Sequence, residues 1–489
     1  MGRRARITAV ALAATLTIAG GAMVALVATD VVDPPAGWWS GPDDADDAAR
    51  DPQQVSPPPE LSLPDPRPPV PVLGPPEGPP ADPAGVRARL RPLLADPDLG
   101  RHVGVVVRDL ARDEPVLRLG GADPYIPAST LKIFTAAAVL AALGPEHRFG
   151  TEVVRTPAGP GLPRVVLVGG GDPLLATRPP PPGTADVPTT VSLAGLAAET
   201  ARALRADGVR RVRVGLDTGL FSGPAASPDW EPGYVPDDVV SPISALWVEE
   251  GRVEPDGAER SPDPALAAGE AFADALSNRG IGVVGAPRPA AAPPGRGADV
   301  VAEAVGAPLD SVVQHVLEAS DNEGAEVLLR HVALATDRPG SFAGGVEAVR
   351  EVLTGLGVSW AGVRTYDGSG LSRDNRVTRE ALGQVLQLGA DPGLPELRTV
   401  VSGLPVARFS GSLEYRFLDA GTVGGRGVVR AKTGTLSHVH GLAGTVVTRD
   451  GTLLGFGLLT DRVPLADTLD ARALLDQMAA ALAGCGCAR

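Results

Sequence analysis

The strand-forming residues of this chain gather in two stretches far apart in sequence. "HVGVVVRDL" and "PVLRLGG", joined by the polar "ARDE", run from His102 to Gly121. "GVVRAKTGTLSHVHGLAGTVVTRDGTLLGFGLLT" runs from Gly427 to Thr460 and carries a hairpin signal at Asp450-Gly451. Two strands from the first stretch and three from the second predict one antiparallel sheet, which ties the two ends of the folded part together. Helical spacing in "AGVRARLRPLLAD" and from about Leu465 to Leu482 supplies a helix at each end to flank that sheet. Between them, residues 151–300 change character: short strands such as "RVVLVGGG" and "VRRVRVGLD", the proline-rich "RPPPPPGTADVP", and few long helices. The expected architecture is α+β, mixed in type. Residues 84–150 and 301–489 form one domain with a five-stranded antiparallel sheet and a helical subdomain, and 151–300 form a β-rich insertion.

A chain of 489 residues exceeds what one hydrophobic core supports, so more than one domain is expected. Residues 30–83 add nothing to a core. They are acidic and proline-rich, without helical or strand period, and read as a disordered linker of polyproline character. Ahead of them, Arg3, Arg4 and Arg6 precede an uncharged apolar run from Ile7 to Ala28. This is the pattern of a signal anchor over residues 1–29, with cleavage before Thr29 as the alternative; both send the rest of the chain out of the cytoplasm. The net charge of −14 and an aromatic content of 3% argue against nucleic acid, which needs basic patches and stacking platforms.

Arginine carries almost every positive charge, and only Lys132 and Lys432 are lysines. An arginine is never deprotonated in a protein, whereas a buried lysine can give up its proton and act as a base. Two lysines in such a chain suggest two tasks for an amine. Lys132 follows Ser129 by three positions in "STLKIFTAAAVLAAL", which has the composition of a buried helix. Residues three apart share a helix face, so the amine can reach the hydroxyl and activate it as a nucleophile. Lys432 opens Lys432-Thr433-Gly434. Two helical stretches meet at Ser320-Asp321-Asn322, where a second hydroxyl could relay a proton and an amide could hold a carbonyl; the same residues also suit a helix cap.

In order, Ser129-x-x-Lys132, Ser320-x-Asn322 and Lys432-Thr433-Gly434 make up the signature set of penicillin-binding proteins and class A β-lactamases. From about residue 84 onward the chain resembles the class C low-molecular-mass penicillin-binding proteins, the D-alanyl-D-alanine carboxypeptidase/endopeptidase family. "LVGGGDPLL", "VGLDTGLFSG" with the later Trp230, "SPISAL", "YDGSGLSRDNRVT" and "AKTGTLSHVHGLAGTV" carry the resemblance beyond the three motifs. So does the separation of 191 positions between Ser129 and Ser320, too long for a compact β-lactamase. The resemblance implies a serine β-lactamase/DD-peptidase-like fold that cleaves D-Ala-D-Ala in peptidoglycan stem peptides through an acyl-enzyme, is inhibited by β-lactams, and needs no cofactor.

It also implies roles. Ser129 is the acylated nucleophile, Lys132 its general base, and Ser320 the relay to the leaving amine. Lys432 adjusts the local charge, which a fixed positive charge could partly replace, and Asn322 binds the peptide carbonyl. Thr433 and Thr435 hold the terminal carboxylate on either side of Gly434. The N–H groups of Ser129 and Thr435 form an oxyanion hole, often worth about 3 kcal/mol per donor. Asp217 and Arg373 match positions that hold the amine and carboxylate of a diaminopimelate side chain, and Leu436 touches its stem; position 219 is Gly where the family often has Ser. A β-lactamase, marked by a carboxylate that activates a deacylating water, and a non-catalytic muropeptide sensor are the alternative readings.

Three features stand outside that set. His438 and His440 flank Val439 on an expected strand and would share a face, but no third ligand motif accompanies them, so no metal is expected. Gly169-Gly170-Gly171 lacks the Lys-Ser/Thr ending of a phosphate loop and reads as a turn. Cys485 and Cys487 leave a bridge, free thiols and a thiol partner all open.

Overall fold

Asp82 marks the start of the first helix. Its side chain accepts from the N–H groups of Ala84 and Gly85 while Pro83 takes the first helical position, so a cap and a preset φ begin the helix together. The computed structural model describes residues 78–121, 123–156, 161–181, 188, 190–255, 257–293 and 299–487. The expected signal segment and most of the expected linker lie outside the described residues. Among the described residues no helix is long and apolar enough to cross a membrane.

The strands in chain order are β1 (Val103–Asp109), β2 (Glu114–Leu119), β3 (Arg148–Thr156), β4 (Arg164–Val168), β5 (Arg211–Asp217), β6 (Gly282–Val283), β7 (Arg288–Pro289), β8 (Asp299–Pro308), β9 (Arg430–Leu436), β10 (Val439–Val447) and β11 (Leu453–Thr460). The helices are α1 (Pro83–Leu94), α2 (Lys132–Leu143), α3 (Leu193–Ala206), α4 (Pro264–Ser277), α5 (Leu309–Ala319), α6 (Asn322–Ala335), α7 (Phe342–Gly355), α8 (Arg379–Ala390), the one-turn α9 (Thr399–Ser402) and α10 (Thr468–Ala483).

The expected sheet of both ends is present: five strands in the order β2-β1-β11-β10-β9, antiparallel throughout. Helices α1 and α10 cover one face, and their apolar residues Val86, Leu90, Leu475 and Met478 join Val105, Val107, Phe456 and Leu458 of the strands in one core. Cys485 and Cys487 are joined in a disulfide at the end of α10, and the Cys487 carbonyl accepts from Asp82 N–H at 2.6 Å. On the other side lies the helical layer. Helix α2 is apolar all round, and such a helix is stable only when neighbours cover it; α5, α6, α7 and α8 do so.

The inserted region carries a second sheet, in the order β6-β5-β4-β3-β8 with β7 also on β5. It reaches slightly past 151–300 at both sides, because Arg148 pairs with Pro308. The expectation of few long helices here is corrected: α3 and α4 have 14 residues each. They are required once β4, β5 and β6 run parallel, since parallel neighbours need a crossover. Alanine hid them in the sequence, but Leu193, Leu196, Ala197, Thr200, Ala201 and Leu204 are the buried stripe of α3. Together with Phe272 and Leu276 of α4 they pack on Val165, Leu167, Val212 and Val214 as this layer's own core.

Candidate active site

The short 3₁₀ turn Ala128–Leu131 leads into α2, so Ser129 sits just ahead of the helix and Lys132 is its first residue. Ala128 has a left-handed φ of 45°, a conformation a non-glycine residue holds only where its surroundings fix it. Two glycines from other segments do the fixing. A Cβ on Gly370 would lie 1.9 Å from the Ala128 carbonyl oxygen, and one on Gly434 would lie 2.6 Å from that of Pro127. Backbone from the 366–375 loop and from β9 thus presses on the turn from two directions. This is the physical reason for glycine in "GSG" and in Lys432-Thr433-Gly434.

Lys132 is wholly buried, and its Nζ reaches three oxygens: Ser129 Oγ at 3.1 Å, Asn322 Oδ1 at 2.7 Å and the Ser369 carbonyl at 2.8 Å. The last two are carbonyl oxygens and can only accept. A neutral amine has two N–H groups and one lone pair. If both N–H groups go to the carbonyls, the lone pair is left for the Ser129 O–H. Burial brings the Lys132 amine down to about 8, against the opposing pull of Asp321, Glu326, Asp367 and Glu323.

The Ser320-Asp321-Asn322 corner is a helix cap, one of the two readings offered for it. Asp321 caps α6, both carboxylate oxygens accepting from Gly324 N–H at 2.9 Å, while Asn322 beside it holds Lys132. Ser320 makes the corner with a left-handed φ of 61°. Behind it, ligand atoms of Glu250, His315 and Asp321 lie within 4.8 Å of one another. Burial and the charges of Glu250 and Glu323 push Asp321 well above the ordinary carboxylate range. Burial alone would depress His315, but Glu250 and Asp321 raise it.

Strand β9 buries Lys432 and Gly434 on one face and turns Thr433 and Thr435 to the other, more open one. The Thr433 hydroxyl donates to Ser412 Oγ at 3.0 Å. Lys432 is fully buried, its Nζ donating to the Thr433 carbonyl at 3.2 Å; burial and then the charge of Lys132 hold it well below the usual lysine value. Its neighbour in charge is therefore Lys132, and a fixed cation at 432 would be harder to hold than the sequence suggested. At the far end of β9, Arg373 Nη2 donates to the Ser437 carbonyl at 2.9 Å, one residue beyond the half-buried Leu436. Asp217 ends β5 in the inserted layer, where its oxygens accept from Gly219 N–H at 2.9 Å and Ala292 N–H at 2.7 Å.

Of the residues named from sequence, Ser129, Lys132 and Asn322 are joined through the amine, Lys432 feels the charge of Lys132, and Gly434 lies against the turn that carries Ser129. Arg373 reaches the tip of β9 at Ser437, the residue after Leu436, while Asp217 makes its hydrogen bonds at the end of β5. His438 is not on a strand with His440. It lies in the β9–β10 turn with φ 67°, so the shared face expected of the two is absent.

Sequence reasoning missed a second ring of residues. Buried Glu326 accepts from Gly368 N–H at 2.9 Å and Ser369 N–H at 2.8 Å. Asp367 takes Trp230 Nε1 and Ser372 N–H on one oxygen and Gly370 N–H and Asn375 Nδ2 on the other. Glu323 is held by Arg260 at 2.9 Å and Ser241 N–H at 3.1 Å. Glu326 and Asp367 thus have donors on both oxygens, whereas the donors to Glu323 meet only Oε1. The one available signal was an acid, Glu326, inside the apolar run "AEVLL".

A family model described as the D-Ala-D-Ala carboxypeptidase 3 (S13) family matches residues 86–262 and 256–483. The chain belongs to that family. It is an enzyme, a serine DD-peptidase of the low-molecular-mass penicillin-binding type. A carboxypeptidase of Mycobacterium tuberculosis is 38% identical over 410 residues, covering 83% of this chain and 85% of the relative. The carboxypeptidase DacB of Mycolicibacterium smegmatis is 37% identical, covering 82% and 85%. In fold, the peptidase is similar to the crystal structure of penicillin binding protein 4 from Haemophilus influenzae, with a TM-score of 0.65 and 22% identity, covering 80% of this chain and 97% of that one.

Proposed function

We propose that this DD-peptidase acylates Ser129 with the penultimate D-alanine of a stem peptide. The observation that carries the reading is the three-way contact of Lys132 Nζ with Ser129, Asn322 and the Ser369 carbonyl. Lys132 takes the proton from Ser129 Oγ as the oxygen bonds to the carbonyl carbon. The N–H groups of Ser129 and Thr435 receive the oxyanion, and Asn322 also holds the peptide carbonyl. When the C–N bond breaks, Ser320 passes a proton to the departing amine of D-alanine. Water then releases the acyl group and regenerates the Ser129 hydroxyl. Thr433 and Thr435 hold the terminal carboxylate, Lys432 tunes the charge beside Lys132, and Arg373, Leu436 and Asp217 receive a diaminopimelate side chain. β-Lactams acylate Ser129 in the same way. Arg3, Arg4, Arg6 and the apolar run after them carry this domain out of the cytoplasm, as an anchor or a cleaved signal. Cross-linked peptides are the further substrate.

Labelled penicillin tests the reading. It should attach to Ser129 in a peptide digest and be lost in Ser129→Ala with the fold intact; a label on another residue would sink it.

A further inference from the structure

We propose that Glu326 is a positioning residue for Lys132, acting through the Gly368–Ser369 segment that lies between the two side chains. Glu326 follows Asn322 by four residues, so α6 presents both on one face. Asn322 touches the amine directly. Glu326 grips the backbone instead, Oε1 on Ser369 N–H at 2.8 Å and Oε2 on Gly368 N–H at 2.9 Å. The carbonyl of Ser369 then accepts from Lys132 Nζ at 2.8 Å. From the other side, the Thr135 hydroxyl on α2 donates to the Gly368 carbonyl at 2.7 Å. One helix thus supplies both carbonyl acceptors that occupy the amine's N–H groups, the first as a side chain and the second by holding a loop. A carboxylate suits this task because two neighbouring N–H donors need an acceptor on each arm; glutamine would offer one acceptor and one donor.

Glu326 is fully buried, and the Gly368 and Ser369 N–H groups offset part of the cost of its charge. It is faced by Asp367 from the 366–375 loop, by Arg330 one turn along α6 and by Lys132 from α2. Lys132 is also faced by Asp321 and Glu323 from α6, by Asp367 and by Lys432 from β9. Burial and Asp367 raise Glu326 to about 8, while the Ser369 hydroxyl and the two N–H groups favour its ionised form. Where ionised, Glu326 favours the ammonium form of Lys132, so Glu326→Gln moves the Lys132 titration to lower pH.

The inference rests on the serine–lysine reading above, and its first readout does not use penicillin. With only two lysines in the chain, ¹³Cε-lysine labelling of the full chain gives two titrating signals, assigned by the loss of one in Lys432→Met. Glu326→Gln should lower the Lys132 midpoint by on the order of one pH unit. Thr135→Val loosens the same segment without altering charge, and should leave the midpoint unmoved. Both should slow acylation by a fluorescent penicillin at its pH plateau by about tenfold. Glu326→Asp keeps the charge; it should hold the midpoint and lose rate, which serves should Glu326→Gln fail to fold. An unshifted midpoint in folded Glu326→Gln overturns the proposal, as does an equal shift in Thr135→Val. A wild-type chain that penicillin never labels overturns the serine–lysine reading itself, and this inference with it.

Discussion

Helix α2 and strand β9 each bury one lysine beside the Ser129 turn, and the two sites are built on opposite principles. At the helix end, Lys132 meets three oxygens at 2.7 to 3.1 Å and the charges of four acids. At the strand edge, Lys432 has the Thr433 carbonyl at 3.2 Å and the charge of Lys132 against it. The first surroundings hold an amine brought down to about 8, with a hydroxyl within reach at 3.1 Å. The second penalise a proton on Lys432 whenever Lys132 carries one. Two buried residues of one type thus differ in what surrounds each amine, oxygens and acids at Lys132 and a second cation at Lys432.

The comparison breaks most visibly at Lys132. Lys132→Arg puts a permanent cation where a base is needed, so the acylation rate with labelled penicillin should fall by about 10²- to 10⁴-fold, as for loss of a general base. A near-normal rate would remove the base assignment. In the wild type the active form is the neutral amine, and its fraction falls tenfold per unit below the amine's pKa. Acylation should therefore rise with pH and level off above about 8, a difference of about fiftyfold between pH 6 and 8. A rate flat over that range would mean that another group takes the proton.

Lys432→Arg sharpens the comparison from the other side. The guanidinium is larger, stays charged, and enters a site with no room and a neighbouring cation. Overpacking of this kind costs about 1–3 kcal/mol, so a tenfold or greater loss of acylation and a lower melting temperature are expected. Wild-type behaviour would show that β9 tolerates a second fixed charge, and that the contrast between the lysines is shallower than the geometry implies.

Much of this site could be read from sequence because its chemistry is local. Ser129 and Lys132 are three residues apart on one helical turn, Ser320 and Asn322 share a corner, and Lys432 to Thr435 share a strand. The five-stranded sheet was legible for the same reason, since period-two patterning needs no knowledge of the middle of the chain. What escaped depends on contacts across distance. Glu326 acts on backbone N–H groups of residues 368 and 369, and Asp367 gathers Trp230 from the inserted layer with Asn375 from its own loop. Neither leaves a spacing to detect. Helices α3 and α4 escaped because alanine fills the positions where their stripes would otherwise stand out. His438 was misplaced because the strand period was continued through a turn in which its φ is positive.

The smallest expected effect tests Asp217, where structure and family point to different work. Its carboxylate already accepts from Gly219 and Ala292 N–H groups, tying the end of β5 to the segment after β7. A carboxylate oxygen accepts more than one donor, so these bonds leave capacity for an amine. Arg373 is similarly engaged, with Nη2 on the Ser437 carbonyl at the tip of β9 and Nε facing Glu231 at 3.8 Å. Asp217→Asn keeps one acceptor and removes the charge. If Asp217 receives a diaminopimelate amine, turnover of a peptide with that zwitterionic end should fall about tenfold, the worth of one charge-assisted hydrogen bond. A small penicillin lacking the side chain should acylate Ser129 at an unchanged rate, with the melting temperature lowered only slightly. Equal losses for both ligands, together with a clear fall in melting temperature, would assign Asp217 to tying the inserted layer together and remove it from the specificity site.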